Sequence, residues 1–214
     1  MGKPMLDPAL HPVVSFDSDP LILVDSEDRE IGSLDKAGCH EGRGVLHRAF
    51  SLFVFNSEGA LLLQRRSRQK RLWPAFWSNS CCSHPRLGES TPGAAKRRLE
   101  EELGLVCELD YIYKFQYHAE YLSIGSENEL CWVFAGFVGD QVLRPNVNEV
   151  DDCRYIEPWT LDREMDSRPE TFTPWFHMEW RSLRKDYWSI LQGRIAGLAQ
   201  APVSWGETGF HEVR

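Results

Sequence analysis

Thr91-Pro-Gly-Ala-Ala-Lys-Arg-Arg-Leu-Glu-Glu-Glu-Leu-Gly104 reads as one helix with both ends marked. Thr91 is the expected N-cap, Pro92 takes the first helical position, and Gly104 stops the helix. Ala95, Leu99 and Leu103 recur every four residues as an apolar stripe, with Arg98 and Glu102 on its flank. Glu100, Glu101 and Glu102 stand near the negative end of the macrodipole, which costs about 0.3–1 kcal/mol per exposed charge. Arg97 and Arg98, four residues ahead of Glu101 and Glu102, offset part of this. A salt-bridged surface helix explains the pattern. So does a carboxylate that holds a hard divalent cation.

Outward from this helix the chain alternates strands and helices. Residues 21–24 read as a strand, and His47–Phe55 as a second one, apolar enough to be buried on both faces. Asn56-Ser-Glu-Gly59 is a hairpin turn that returns residues 60–64 as its partner. Strands are expected at 111–121 and 129–138. Thr173-Pro174 opens a second long helix to about residue 192, with Met178, Leu183, Tyr187, Ile190 and Leu191 on its buried side. The fold class is α/β (α+β), a mixed β-sheet packed between helices. A loosely ordered arm is expected at 1–20, one domain at 21–194, and a tail at 195–214.

The 214 residues suit a single domain, and 42% hydrophobic with 26% charged residues is the mix of an ordinary globule. No apolar run is long enough for a membrane span or a signal peptide, so the cytoplasm is the expected compartment. The net charge of −8 argues against nucleic acid as the partner. Residues 1–107 hold 14 basic and 14 acidic side chains, so the whole excess lies in the second half. Within the neutral half stands a basic knot, Arg65, Arg66, Arg68, Lys70 and Arg71. It is either a solvated face or a cradle for a small anion such as a phosphate ester.

Six cysteines without a CxxC pair point to reduced thiols rather than a disulfide framework or zinc ribbon. In Trp77-Ser-Asn-Ser-Cys-Cys-Ser-His-Pro85 adjacent cysteines lie beside a histidine. This is either an ordinary turn or a loop holding one thiolate at depressed pKa. His40, His47 and His84, with Glu127 and Glu129 two residues apart on one strand face, would make a shell of three imidazoles and two carboxylates. Such a donor set suits zinc, iron, manganese or magnesium. Trp175 is either core or an indole face for a cation.

Together these residues resemble the type I isopentenyl-diphosphate isomerase family, a branch of the Nudix fold. The strings that carry the resemblance are Lys36…His40…Leu46-His47-Arg48-Ala49-Phe50-Ser51, Asn79-Ser-Cys-Cys-Ser-His-Pro85, Gly88-Glu89-Ser90, Arg97…Glu102-Leu103-Gly104, Glu127-Asn-Glu129 and Thr173-Pro-Trp175. The general Nudix hydrolase box is altered at two places: Ser83 replaces its leading glycine, and Arg98 replaces the glutamate after Arg97. The resemblance implies an isomerase interconverting isopentenyl and dimethylallyl diphosphate.

It further implies that His40, His47, His84, Glu127 and Glu129 bind one divalent metal (manganese, zinc or magnesium), and that Glu102 helps hold a magnesium bridging to the substrate. Lys36, Arg66 and Lys70 would bind the diphosphate. Cys82, rather than Cys81, would be the catalytic thiol, Glu129 the second acid/base with Tyr117 beside it, and Trp175 the indole facing the cation. A small-molecule isoprenoid diphosphate is the implied partner, with no nucleic acid or membrane, for a monomer or weak homodimer. The alternatives are a Nudix diphosphohydrolase, which keeps Glu89, Glu101 and Glu102, and a module with a structural zinc on the three histidines.

Overall fold

The computed structural model describes residues 11–139 and 141–199. Among these residues nine strands form one mixed sheet. β1 (Pro20–Val24) and β2 (Glu30–Asp35) form an antiparallel hairpin that runs into one helical turn, α1 (Lys36–Cys39). The Asp35 carboxylate caps this turn, accepting from the Gly38 N–H at 2.8 Å. β3 (His47–Phe55) is the buried axis of the sheet. β6 (Cys81–Ser83) pairs antiparallel with one edge of it, and β8 (Gly125–Phe137) pairs parallel along the other. β7 (Leu109–Tyr121) extends the sheet beyond β8, whereas β4 (Leu61–Arg66) pairs with β5 (Trp77–Ser78) and β9 (Val150–Ile156).

The hairpin expectation holds only at its mouth. β3 and β4 pair at Phe55↔Leu61 and then part. Ser80 is the wedge: its hydroxyl accepts from the Val54 N–H at 2.8 Å and donates to the Leu62 carbonyl at 2.6 Å. That opening admits β6 and so brings Cys82 against β3.

Side chains on β3 alternate between two helical layers. Phe50, Leu52 and Val54 pack on Ala95, Leu99 and Leu103 of α2 (Thr91–Leu103). Ala49, Phe53 and Phe55 face the opposite core with Phe176, Trp180 and Leu183. That second layer is α4 (Pro174–Ser182), a π-helical turn at Leu183–Tyr187, and α5 (Trp188–Ala199); α3 (Pro158–Ser167) precedes it.

Three local expectations change. The N-cap of α2 is Ser90, not Thr91: the Ser90 hydroxyl accepts from the Gly93 N–H at 3.3 Å. Arg98 and Glu102 are buried with the apolar stripe rather than flanking it outside. Met178 and Ile190 are 39% and 60% exposed, while Trp175, Phe176, Glu179 and Trp180 are buried. Within α4 the face that carries Trp175, Phe176 and Trp180 packs on the core and turns Met178 outward, and the longer repeat of the π-helical turn re-phases α5 beyond it.

Part of the expected N-terminal arm is tied down. The Val14 carbonyl accepts from Arg98 at 2.7 Å, Pro12 from Asn146 at 2.8 Å, and the Ser15 hydroxyl from Lys36 at 2.6 Å. Residues 1–10 and 200–214 lie outside the described residues, and α5 continues past the expected boundary at 194. Among the described residues no helix is long and apolar enough to cross a membrane.

Candidate active site

The sheet register assembles the site. In the parallel β3–β8 ladder His47 lies beside Glu129, and in the β7–β8 ladder Tyr117 lies beside Glu129 and Ala119 beside Glu127. In the β3–β6 ladder Ser51 lies beside Cys82. β6 and β8 sit on opposite edges of β3, so Cys82 and Glu129 flank that strand from either side. Both open on one cavity of about 290 Å³, at the small end of ligand sites. Lys36, His40, Arg66, Lys70, Arg98, Tyr117, Glu149 and Trp175 also line it.

His40, His47, His84, Glu127 and Glu129 present one donor atom each, all within 4.8 Å of one another. The Nδ1 of His40 lies 2.6 Å from the Lys36 carbonyl, and that of His47 lies 2.7 Å from the Val45 carbonyl. A carbonyl only accepts, so both rings carry a proton on Nδ1 and turn Nε2 toward the cluster, where that of His40 lies 2.8 Å from the Glu127 carboxylate. The Nε2 of His47 is fully buried without a hydrogen-bond partner. Burying that lone pair unmatched is unfavourable, and a divalent cation satisfies it. The five side chains therefore fit a metal. They include no thiolate and open on a cavity, unlike a closed structural zinc site.

Without the cation the cluster holds its charge unevenly. Burial and the neighbouring His40 push the pKa of His47 down to about 4, and burial next to two other imidazoles pushes His84 well below its usual range. Burial and the charge of Glu127 raise Glu129 well above the carboxylate range. Burial acts the same way on Glu127, yet the adjacent His40 outweighs it and brings that carboxyl down to about 2. Glu129 lies 2.8 Å from His84 through one oxygen and accepts from the Tyr117 hydroxyl at 2.7 Å through the other.

Gly125 turns the chain under this cluster. A Cβ there would overlap the His40 carbonyl oxygen, which accepts from the Ser126 N–H at 3.1 Å. Gly125→Ala must push the α1 loop away, at about 1–3 kcal/mol. The expected result is a lower melting temperature and divalent-ion binding weakened about tenfold by calorimetric titration. Unchanged values in both would show that the loop yields freely.

The thiol differs from one sequence expectation. Cys82 is not a depressed-pKa thiolate in a polar loop; it sits on β6, and burial together with the charge of Glu179 pushes it up to about 12. Its S–H donates to the Asn79 side-chain oxygen at 2.7 Å, and its sulfur accepts from the Trp175 indole at 3.1 Å and from Ser51 at 3.6 Å. Cys81 points to the other face, into the core under α2. None of the six cysteines is in a disulfide.

The basic knot divides. Arg66 and Lys70 line the cavity, whereas Arg65 and Arg68 reach Asp152 and Asp151. The Arg66 guanidinium donates to the Leu72 and Trp73 carbonyls and lies 5.2 Å from the Trp175 ring centre. Burial and the charge of Lys70 bring Lys36 down to about 8. Lys70 pairs with Glu149, and Arg98 reaches Glu149 at 3.4 Å and Glu102 at 2.6 Å. Glu102 is 2% exposed and does not line the cavity, so the structure does not bring it to the other site residues. Glu149 and Arg98 do line it. Glu149 lies far along the chain and belongs to no motif, so nothing in the sequence pointed to it.

The NUDIX domain pattern matches residues 45–176. An isopentenyl-diphosphate Delta-isomerase 1 of Photorhabdus laumondii is 40% identical over 173 residues, covering 80% of this chain and 98% of that protein. The chain belongs to the isopentenyl-diphosphate Delta-isomerase family. A second relative, an isopentenyl-diphosphate Delta-isomerase of Burkholderia multivorans, is 44% identical over 73% of this chain and 88% of its own length. The DR0079 structure from Deinococcus radiodurans superposes with a TM-score of 0.57 at 22% identity, covering 70% of this chain and 90% of that one, which shows the Nudix fold. Within the isomerase family, Arg98 at a position where the Nudix box has glutamate is accounted for here by its buried pairing with Glu102 and Glu149.

Proposed function

We propose that this chain interconverts isopentenyl and dimethylallyl diphosphate, acting in the cytoplasm as a monomer or weak homodimer. The observation that carries the reading is the placement of Cys82 and Glu129 on the two strands flanking β3, both opening on one small cavity with Lys36, Arg66 and Lys70.

The reaction adds a proton to the terminal alkene carbon and removes one two carbons away, so two acid/base groups must flank the substrate. An unactivated alkene is a weak base, and protonation gives a tertiary carbocation. Cys82 on one side and Glu129 with Tyr117 on the other divide the work: one gives its proton, the other takes the one that leaves. Burial keeps the proton on Cys82, and the Tyr117 hydroxyl donates to Glu129 at 2.7 Å, which puts a proton on each side of the cavity. Trp175 adds its π face, a contribution of about 2 kcal/mol when desolvated. Lys36, Arg66 and Lys70 hold the diphosphate so that it neither leaves nor ionises.

His40, His47, His84, Glu127 and Glu129 would hold one divalent cation (manganese, zinc or magnesium), which lowers the proton affinity of the carboxyls it touches. Glu102, which Arg98 engages at 2.6 Å in this structure, would help hold a magnesium that arrives with the substrate diphosphate.

Incubation with isopentenyl diphosphate and magnesium in D2O, followed by NMR together with a phosphate assay, tests the assignment. Deuterated dimethylallyl diphosphate without free phosphate is the expected result. Phosphate release without rearrangement would move the chain to the diphosphohydrolases.

A further inference from the structure

Glu179 on α4 is the most buried carboxyl that the reaction above leaves unused. It is 0% exposed, and among the described residues no cationic side chain pairs with it. One of its oxygens has no hydrogen-bond partner; the other lies 3.5 Å from the Cys131 sulfur. The Ser51 side chain is its second polar neighbour. Ser51 in turn lies 3.5 Å from Cys131 and donates to the Cys82 sulfur at 3.6 Å. Tyr113 on β7 donates through its hydroxyl to the Glu179 backbone carbonyl at 3.4 Å, and Cys82 and Glu129 also lie within reach of the Glu179 charge.

We infer that Glu179 is a positioning residue for the isomerisation, fixing the Ser51 hydroxyl so that its proton points at the Cys82 sulfur. The inference rests on the role given above to Cys82. Ser51 has one proton and two competing acceptors, Glu179 and Cys82. A carboxyl that keeps its own proton donates to the Ser51 oxygen and leaves the Ser51 proton for sulfur. An ionised carboxylate would instead draw that proton away. Burial without a cation pushes the Glu179 pKa up to about 8, which supports the neutral form at neutral pH. A residue present only for packing would be better served by an apolar side chain. The Cys82 sulfur then keeps a donor in the ground state and after it gives up its proton.

Glu179→Gln, Glu179→Met, Ser51→Ala and the Ser51→Ala/Glu179→Met pair test this in the full chain with isopentenyl diphosphate as the probe. Glutamine still donates to Ser51, so kcat stays within about threefold of wild type. Methionine cannot donate, so kcat falls about tenfold or more with KM within about twofold and no loss of melting temperature. Ser51→Ala matches it, and the double variant is no worse than Ser51→Ala alone. Wild-type kcat in Glu179→Met, an equal fall in Glu179→Gln, or losses that multiply in the pair would each overturn the inference. If Glu179→Met does not fold, the glutamine and Ser51→Ala variants still decide it. Cys82→Ala run alongside separates the two failures. Full turnover there sinks the role of Cys82; loss there with an unaffected Glu179→Met sinks only the positioning role.

Discussion

Cys82→Ala abolishes turnover, by at least about a thousandfold, while the protein folds and binds substrate as before. A thousandfold is about 4 kcal/mol of barrier, within the range expected when a positioned acid/base group is removed. The groups that hydrogen-bond the sulfur cannot take its place: Asn79, Ser51, Ser78 and the Trp175 indole orient a proton but none of them exchanges one at neutral pH. The sulfur's hydrogen-bond partners do not include Lys36, Arg66 or Lys70, so the dissociation constant for isopentenyl diphosphate should stay within a few-fold. Cys81→Ala is the control. Its side chain lies on the opposite face of β6 in the core under α2, so it loses stability and keeps turnover. Rate measurements with thermal melts of both variants check this. Near-normal turnover in Cys82→Ala, or a severe loss confined to Cys81→Ala, would mean that the wrong thiol carries the proton.

Glu129→Gln has an effect of similar size and a different signature. The substitution keeps shape and the Tyr117 hydrogen bond but removes a titratable proton and one anionic metal ligand. Turnover should fall about a thousandfold and remain low at saturating divalent ion, and metal binding should weaken about tenfold or more. Stability without metal should move the other way. The Glu129 pKa is raised by burial and by Glu127, so this carboxyl opposes folding at pH values above its unfolded range, and that penalty is absent at low pH. The amide carries no such penalty, so metal-free Glu129→Gln melts at or above the wild-type temperature near neutral pH, and the difference closes as the pH falls below about 4. A variant that melts well below wild type without metal would make its lost activity a folding defect. Activity that returns with excess metal would leave Glu129 a ligand and nothing more.

The two experiments address different links between sequence and function. The identity of Cys82 rests on strand alternation, which separates two neighbouring thiols by a whole layer of the fold. The identity of Glu129 rests on register, since a slip of one residue would turn its carboxyl to the opposite face.

By itself the sequence determined the elements with strong local signals. The β3 strand is apolar enough to be buried on both faces, α2 carries a cap, a proline and a terminal glycine, and the hairpin turn is written in Asn56 to Gly59. It also determined the donor types of the site, because imidazole, carboxylate, thiol and lysine are legible one residue at a time. Local signals failed where the partner was distant. The splaying of β3 from β4 depends on Ser80 wedging between them, and the buried face of α4 on its packing against the distant Phe53 and Phe55 of β3. For that reason Glu179 was hidden and Met178 looked buried. Only the tertiary structure decided the protonation of the site. The Cys81-Cys82 pair looked like a polar loop with one thiolate at depressed pKa, and burial made Cys82 a neutral thiol; Arg98 and Glu102 looked like flanking charges, and the fold buried them as a pair. Charge and proton affinity depend on what surrounds a side chain in space, through desolvation and Coulomb interaction over a few ångströms, and sequence separation carries almost none of that distance information.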